Sequence, residues 1–237
     1  MYSTLFSTST RFHKNQVSKL ITTSVAAYPV MEVSRFFSTS RWHILRMPWL
    51  FTSIYEVRHT VTMRGPYMLC FCSQNGVEFQ VSKLLRGPNF PRVVEACTEL
   101  PTPYVIYDVA QGSMLCPFET YTDEAFRTMW ITCLLVLRAM HDSGVVHGDI
   151  HPQNMYVVSV TQVYLINYSH ATVFTDFRDP AVNLEFSRLK FKDYIMLWIA
   201  LQNVIPNELV PEFESRVDDF ANFPGTSVEQ ASRMLFF

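Results

Sequence analysis

The chain has 237 residues, 49% of them hydrophobic, enough to bury a sizeable core and to exclude an intrinsically disordered protein. Charged residues make up 17%, below the roughly 25% of average domains, and with a net charge of -2 no global field recruits nucleic acid or an anionic membrane surface. The longest apolar runs, around Trp130 to Leu137 and Tyr194 to Leu201, fall short of the roughly 20 residues that span a bilayer; five scattered cysteines, an odd number, favour a reducing compartment over a disulfide framework.

Residues 1–49 stand apart. Arg11, Lys14, Lys19, Arg35, Arg41 and Arg46 lie among many Ser and Thr, with a single acid, Glu32. That composition fits a mitochondrial transit peptide, and Arg35-Phe36-Phe37-Ser38 is similar to a matrix-processing site. It fits a disordered basic tail of a cytoplasmic protein equally well, and in either case the segment is set outside the fold. From Trp49 to Cys72 the pattern turns β-like: Ile54 to Val57, Thr60 to Met63 and Tyr67 to Cys72 are rich in β-branched and aromatic residues, punctuated by Arg64-Gly65-Pro66. Cys70 and Cys72 have no second pair to complete a zinc site, so period-two geometry places them together on one core face.

Val77, Val81, Leu84 and Leu85 form one helical stripe, ended by Gly87-Pro88. Pro103 to Ala110 reads as a strand running into a turn. Thr122-Asp123-Glu124 offers a helix N-terminus, and the apolar helix behind it runs through Met140. It leads into Val145-Val146-His147-Gly148-Asp149-Ile150-His151-Pro152-Gln153-Asn154, a loop followed by short strands at Met155 to Val158 and Val163 to Ile166. A carboxylate and an amide five positions apart suit phosphoryl transfer, one orienting a hydroxyl and the other ligating a metal that neutralises phosphate. His147, Asp149 and His151 could ligate a metal from a strand, but the flanking elements argue for a loop.

This stretch resembles the catalytic loop of the protein-kinase-like superfamily, closest to its small-molecule, lipopolysaccharide and RIO-like branches. The resemblance implies an α+β, two-lobed fold, with a reduced β-rich N-lobe over 50–107 and a short helical C-lobe over 108–237. It implies Asp149 as base with His147 beside it, Asn154 as a metal ligand, and Asn167 where the family carries its principal metal carboxylate. Glu78 takes the place of the C-helix glutamate and Cys70 that of the ATP-anchoring lysine. A rival register makes Lys83 that lysine but leaves too few residues for a helix before the next strand. Tyr107 becomes the gatekeeper, and backbone groups of Asp108 and Ala110 would bond an adenine. Asp193, in a helix from Lys192 to Leu201, resembles the aspartate that holds the catalytic loop, and a final helix is expected from Ser227.

Only Gly65 stands where the family has a glycine-rich phosphate loop, and Gly148 replaces the arginine that reads a phosphorylated activation segment. An amide binds a hard cation less strongly than a carboxylate, so ATP is the implied cofactor while Asn167 weakens the case for Mg²⁺. The sequence thus predicts a pseudokinase, a nucleotide- or partner-binding module with impaired phosphoryl transfer. The alternative is an active phosphotransferase using Asp149 on a protein or small-molecule hydroxyl. The partner is an unidentified protein or a small-molecule substrate.

Overall fold

The computed structural model describes residues 36–37, 40–46, 54–72, 76–99, 103–116, 121–202 and 204–209. The leader up to residue 35 and the helix expected from Ser227 lie outside the described residues. Within them the chain is mixed α+β, built on a five-stranded antiparallel sheet in the order β1 (Trp42–Arg46), β2 (Ile54–His59), β3 (Tyr67–Phe71), β5 (Tyr104–Asp108), β4 (Arg92–Cys97). Pleating sends Ile54, Met68, Cys70, Val105 and Tyr107 into the main core and Tyr55, Val57, Leu69, Phe71 and Ile106 to the opposite face. Cys70 and Cys72 lie buried in the same cluster, as their spacing predicts.

Three expectations are corrected. The fold begins before residue 50: β1 pairs antiparallel with β2, Trp42 and Phe36 are buried on the sheet's second face, and Phe36 meets Phe71 and Tyr104 edge-to-face at 5.3 and 4.9 Å. Arg41 adds an ion pair with Glu95 at 2.8 Å. Composition averaged over fifty residues concealed a five-residue alternation. Second, Thr60 to Met63 form a turn, not a strand, with Val61 and Met63 exposed. Val57 pairs with Tyr67 in one hairpin, so the intervening residues must reverse direction whatever their β-propensity. Third, the helix expected from Lys192 starts at Pro180. The carboxyl of Asp179 accepts from Ala181 N at 2.8 Å, and a proline at the first helical position has no amide proton to leave unpaired.

α1 (Val77–Leu84) packs against the sheet's core face. α2 (Asp123–Asp142) is capped by Thr122, whose hydroxyl accepts from Ala125 N at 3.3 Å. It buries Phe126, Met129, Trp130, Cys133, Leu134, Val136, Leu137 and Met140, at about 1.5–3 kcal/mol for each large apolar side chain. α3 (Pro180–Leu201) crosses it, with Trp130 and Trp198 edge-to-face at 5.9 Å. Between α2 and α3, β7 (Val145–Val146) pairs with β10 (Thr172–Val173), and β8 (Met155–Ser159) and β9 (Gln162–Leu165) form a three-stranded sheet with β6 (Ser113–Met114), which precedes α2. These pairings set the loop 147–154 beside residues 166–171. Among the described residues no helix is long and apolar enough to cross a membrane.

Candidate functional site

The loop after β7 is held from behind. Asp193, fully buried on α3, accepts from the backbone N–H of His147 at Oδ2 and of Gly148 at Oδ1, both 2.8 Å, and His141 Nε2 lies 3.0 Å from Oδ2. Three donors on one carboxyl fix the loop to the helix core. Gly148 has φ +76, and a Cβ there would lie 2.6 Å from the carbonyl oxygen of His170. Glycine is therefore demanded by the backbone at this position.

His147 is fully buried. Its Nε2–H donates to the carbonyl of Ile166 at 3.1 Å, so Nδ1 is the acceptor for Asp149 N–H at 3.3 Å. Burial pushes its pKa below the ordinary histidine value. The ring also meets Tyr168 edge-to-face at 5.4 Å. His147 thus fixes the loop from beneath, while Asp149 alone of the two presents its side chain outward, 27% exposed. Burial opposes ionisation of Asp149, but the hydrogen bond and charge of His151, 3.5 Å away, outweigh it and hold the carboxyl below its usual range.

Asn154 closes the loop. Its amide nitrogen lies 2.8 Å from the carbonyl and 3.1 Å from the carboxyl of Asp149, and 2.8 Å from His151 Nε2. Its amide oxygen accepts from Asn167 Nδ2 at 3.1 Å, and Asn167 Oδ1 accepts from the hydroxyl of Ser169 at 3.0 Å. Asn167 takes a left-handed backbone, φ 66 and ψ 70, which an asparagine tolerates better than most residues. The structure therefore brings Asn154 and Asn167 together, with each amide oxygen engaged by a donor of the protein.

A second cluster lies under α1. Glu78 is buried, and its carboxyl accepts from the hydroxyl of Tyr107 at 2.7 Å and from the backbone N–H of Tyr168. Cys70 faces Glu78 and the backbone of Asn167. Burial raises the Glu78 pKa from 4.5 to about 7, the two hydrogen bonds offsetting only part of the effect, and burial next to Glu78 pushes the Cys70 thiol well above its ordinary value. Lys83 is exposed on α1, its ammonium 3.9 Å from the ring centre of Phe79, so the rival register does not bring a cation here. Tyr168 joins the two clusters, its backbone N–H on Glu78 and its ring against His147. Its neighbours Ile166 and Asn167 were the available signal.

The segment Val109–Gly112 after β5 carries Ala110. The hydroxyl of Tyr156 on β8 donates to the carbonyl of Ala110 at 3.3 Å and accepts from Gly112 N–H at 3.0 Å. Asp108 pairs through its side chain with Arg92 at 2.5 Å on the exposed surface. Nothing in the spacing of Tyr156 signalled its bonds to residues 44 and 46 positions earlier.

The loop offers a divalent cation a single anionic side chain. Hard cations take oxygen ligands, carboxylates above all; among the described residues 147–154 and 166–171 Asp149 carries the only carboxyl, and the amide oxygens of Asn154 and Asn167 accept from Asn167 and Ser169. Among the described residues no group of three or more His, Cys, Asp or Glu could hold a metal ion.

No family model matches the chain. Among curated proteins it is similar to sperm motility kinase Z of Mus musculus, with 27% identity over 146 residues. That stretch is 50% of this chain and 29% of the relative, so the chain spans under a third of that protein's length. The similarity hints at a kinase-like relationship and at no particular superfamily.

Proposed function

We propose that the chain is a two-lobed kinase-like domain, a pseudokinase that serves as a nucleotide- or partner-binding module with impaired phosphoryl transfer. The observation that carries this reading is the Asn154–Asn167 amide pair, a neutral contact at the two positions where the family places metal ligands. The Glu78 cluster supports it: a carboxyl faces Cys70 where the family has an acid facing a lysine. Phosphoryl transfer is catalysed by positioning and charge neutralisation, so a site without anionic metal anchor or phosphate cation lacks most of what lowers the barrier. Calorimetric titration of ATP should give the same weak response with magnesium and with EDTA, and Asn167→Asp should make binding magnesium-dependent. Tight, strictly magnesium-dependent binding to the unmodified protein, lost in Asp149→Ala, would move the reading to an active phosphotransferase.

One observation favours that second reading. Asp149 is partly exposed and held ionised by His151, so it could accept a proton from a protein or small-molecule hydroxyl.

A further inference from the structure

The segment Ala110–Gly112 runs onto strand β8, where Ser113 pairs with Val157 and Met114 with Tyr156. A Cβ built on Gly112 would lie 2.4 Å from the carbonyl oxygen of Val157, 2.9 Å from Cα of Val158 and 3.0 Å from Cε1 of Tyr156. Gly112 therefore rests on the β8 backbone and on the tyrosine ring itself. That ring is buried, 2% exposed, and its hydroxyl is satisfied in both directions, accepting from Gly112 N–H and donating to the Ala110 carbonyl. Ala110 is, with Asp108, one of the two residues whose backbone groups the resemblance assigned to adenine recognition. Its carbonyl is now bonded by a phenol of the same chain, in the strand that begins immediately after Asn154. A hollow of about 430 Å³ does lie beside Gln111 and Gly112, but its walls include Glu56 and Arg58 and neither Ala110 nor Tyr156.

We infer that Tyr156 is an internal plug: its ring fills the space between the segment Ala110–Gly112 and its own strand β8, and its hydroxyl ties up the carbonyl of Ala110, one of the two residues whose backbone would meet an adenine. This rests on the kinase-like reading of that crevice and deepens it. The chain blocks its own nucleotide site, and its function falls on the partner-binding half of the proposal. Tyr156 acts as a specificity-determining residue, excluding nucleotide through steric filling and through the two bonds that draw the segment onto β8.

The test is titration of adenosine and of ATP into the full chain and into Tyr156→Leu and Tyr156→Phe, with thermal melts to confirm folding. Adenosine should bind Tyr156→Leu at least about tenfold more tightly than the unmodified protein, the scale of one or two recovered hydrogen bonds, and without need of magnesium. Tyr156→Phe keeps the ring and loses the hydroxyl, so it should raise the amide exchange rate of Gly112 with little gain in affinity. Adenosine binding equally well to the unmodified protein and to Tyr156→Leu would overturn the plug, as would an unchanged Gly112 exchange rate in Tyr156→Phe. Asn167→Asp separates the two levels. If its weak ATP binding becomes magnesium-dependent while Tyr156→Leu gains no affinity for adenosine, the crevice is a nucleotide site and the plug is wrong; if neither it nor Tyr156→Leu binds nucleotide, both ideas fall.

Discussion

Glu78 offers the sharpest quantitative test. Its carboxyl is buried, and the groups facing it are Tyr107 from β5, Tyr168 from the turn after β9, and Cys70 and Cys72 at the end of β3. None of them is a cation. Burial raises its pKa from 4.5 to about 7, so between those values the folded chain holds a proton that the unfolded chain has released. Stability must then fall as pH rises through this window and level off above it, by about 3 kcal/mol in all for a displacement of that size. Glu78→Gln keeps an acceptor for Tyr168 N–H and a partner for Tyr107 but does not titrate. Urea unfolding of both proteins from pH 4.5 to 8.5 isolates the effect, because every other titrating group is shared. The glutamine variant should gain on the unmodified protein by about 3 kcal/mol across the range, with most of the gain between pH 5 and 7.5. Cys70→Lys should abolish the slope by a different route, since an ammonium facing Glu78 would favour the ionised form. A stability difference between the unmodified protein and Glu78→Gln that does not change with pH would refute the reasoning, showing the carboxyl to be solvated or paired with a cation.

The remaining expectations concern the scaffold. Asp193→Ala leaves the backbone donors of His147 and Gly148 without their acceptor and should cost at least about 2 kcal/mol in thermal or urea unfolding; an unchanged melting temperature would separate α3 from the loop. Gly148→Ala forces a Cβ against the His170 carbonyl in a left-handed backbone, and a loss of about 1–3 kcal/mol is expected in the same assay. Phe36→Ala should cost about 3 kcal/mol, the usual scale for emptying a buried aromatic site; no loss would show that residues 36–46 do not stabilise the sheet. For the same reason, cleavage near Ser38 would remove two aromatic rings that pack on Tyr55 and Phe71, and the N-terminus of protein isolated from its cell should therefore lie upstream of Phe36.

Local spacing determined a good deal of this chain. Whether two residues share a strand face, or a loop carries a carboxyl and an amide five positions apart, depends on geometry that repeats every two or four residues. Cys70 and Cys72, the start of α2 at Thr122 and the loop from His147 to Asn154 were therefore legible. Asp193 and Glu78 were legible through resemblance, since each sits in a recognisable apolar helix. Tertiary structure alone decided the rest, because it concerns contacts between segments far apart in the chain. That Trp42 and Phe36 belong to the sheet depends on which strand lies beside them, and that Thr60 to Met63 turn back depends on the pairing of β2 with β3. The chemistry of the site was decided in the same way. Asn167 could have ligated a cation or capped a turn, and only the fold shows that its amide N–H donates to Asn154, 13 residues earlier. Tyr156 could have been an ordinary strand residue, and only the approach of Gly112 to within contact of its ring places a phenol against the backbone of Ala110. Hydrogen bonds and close packing act over a few ångströms in space, and sequence order reports such distances only within one strand, turn or helix.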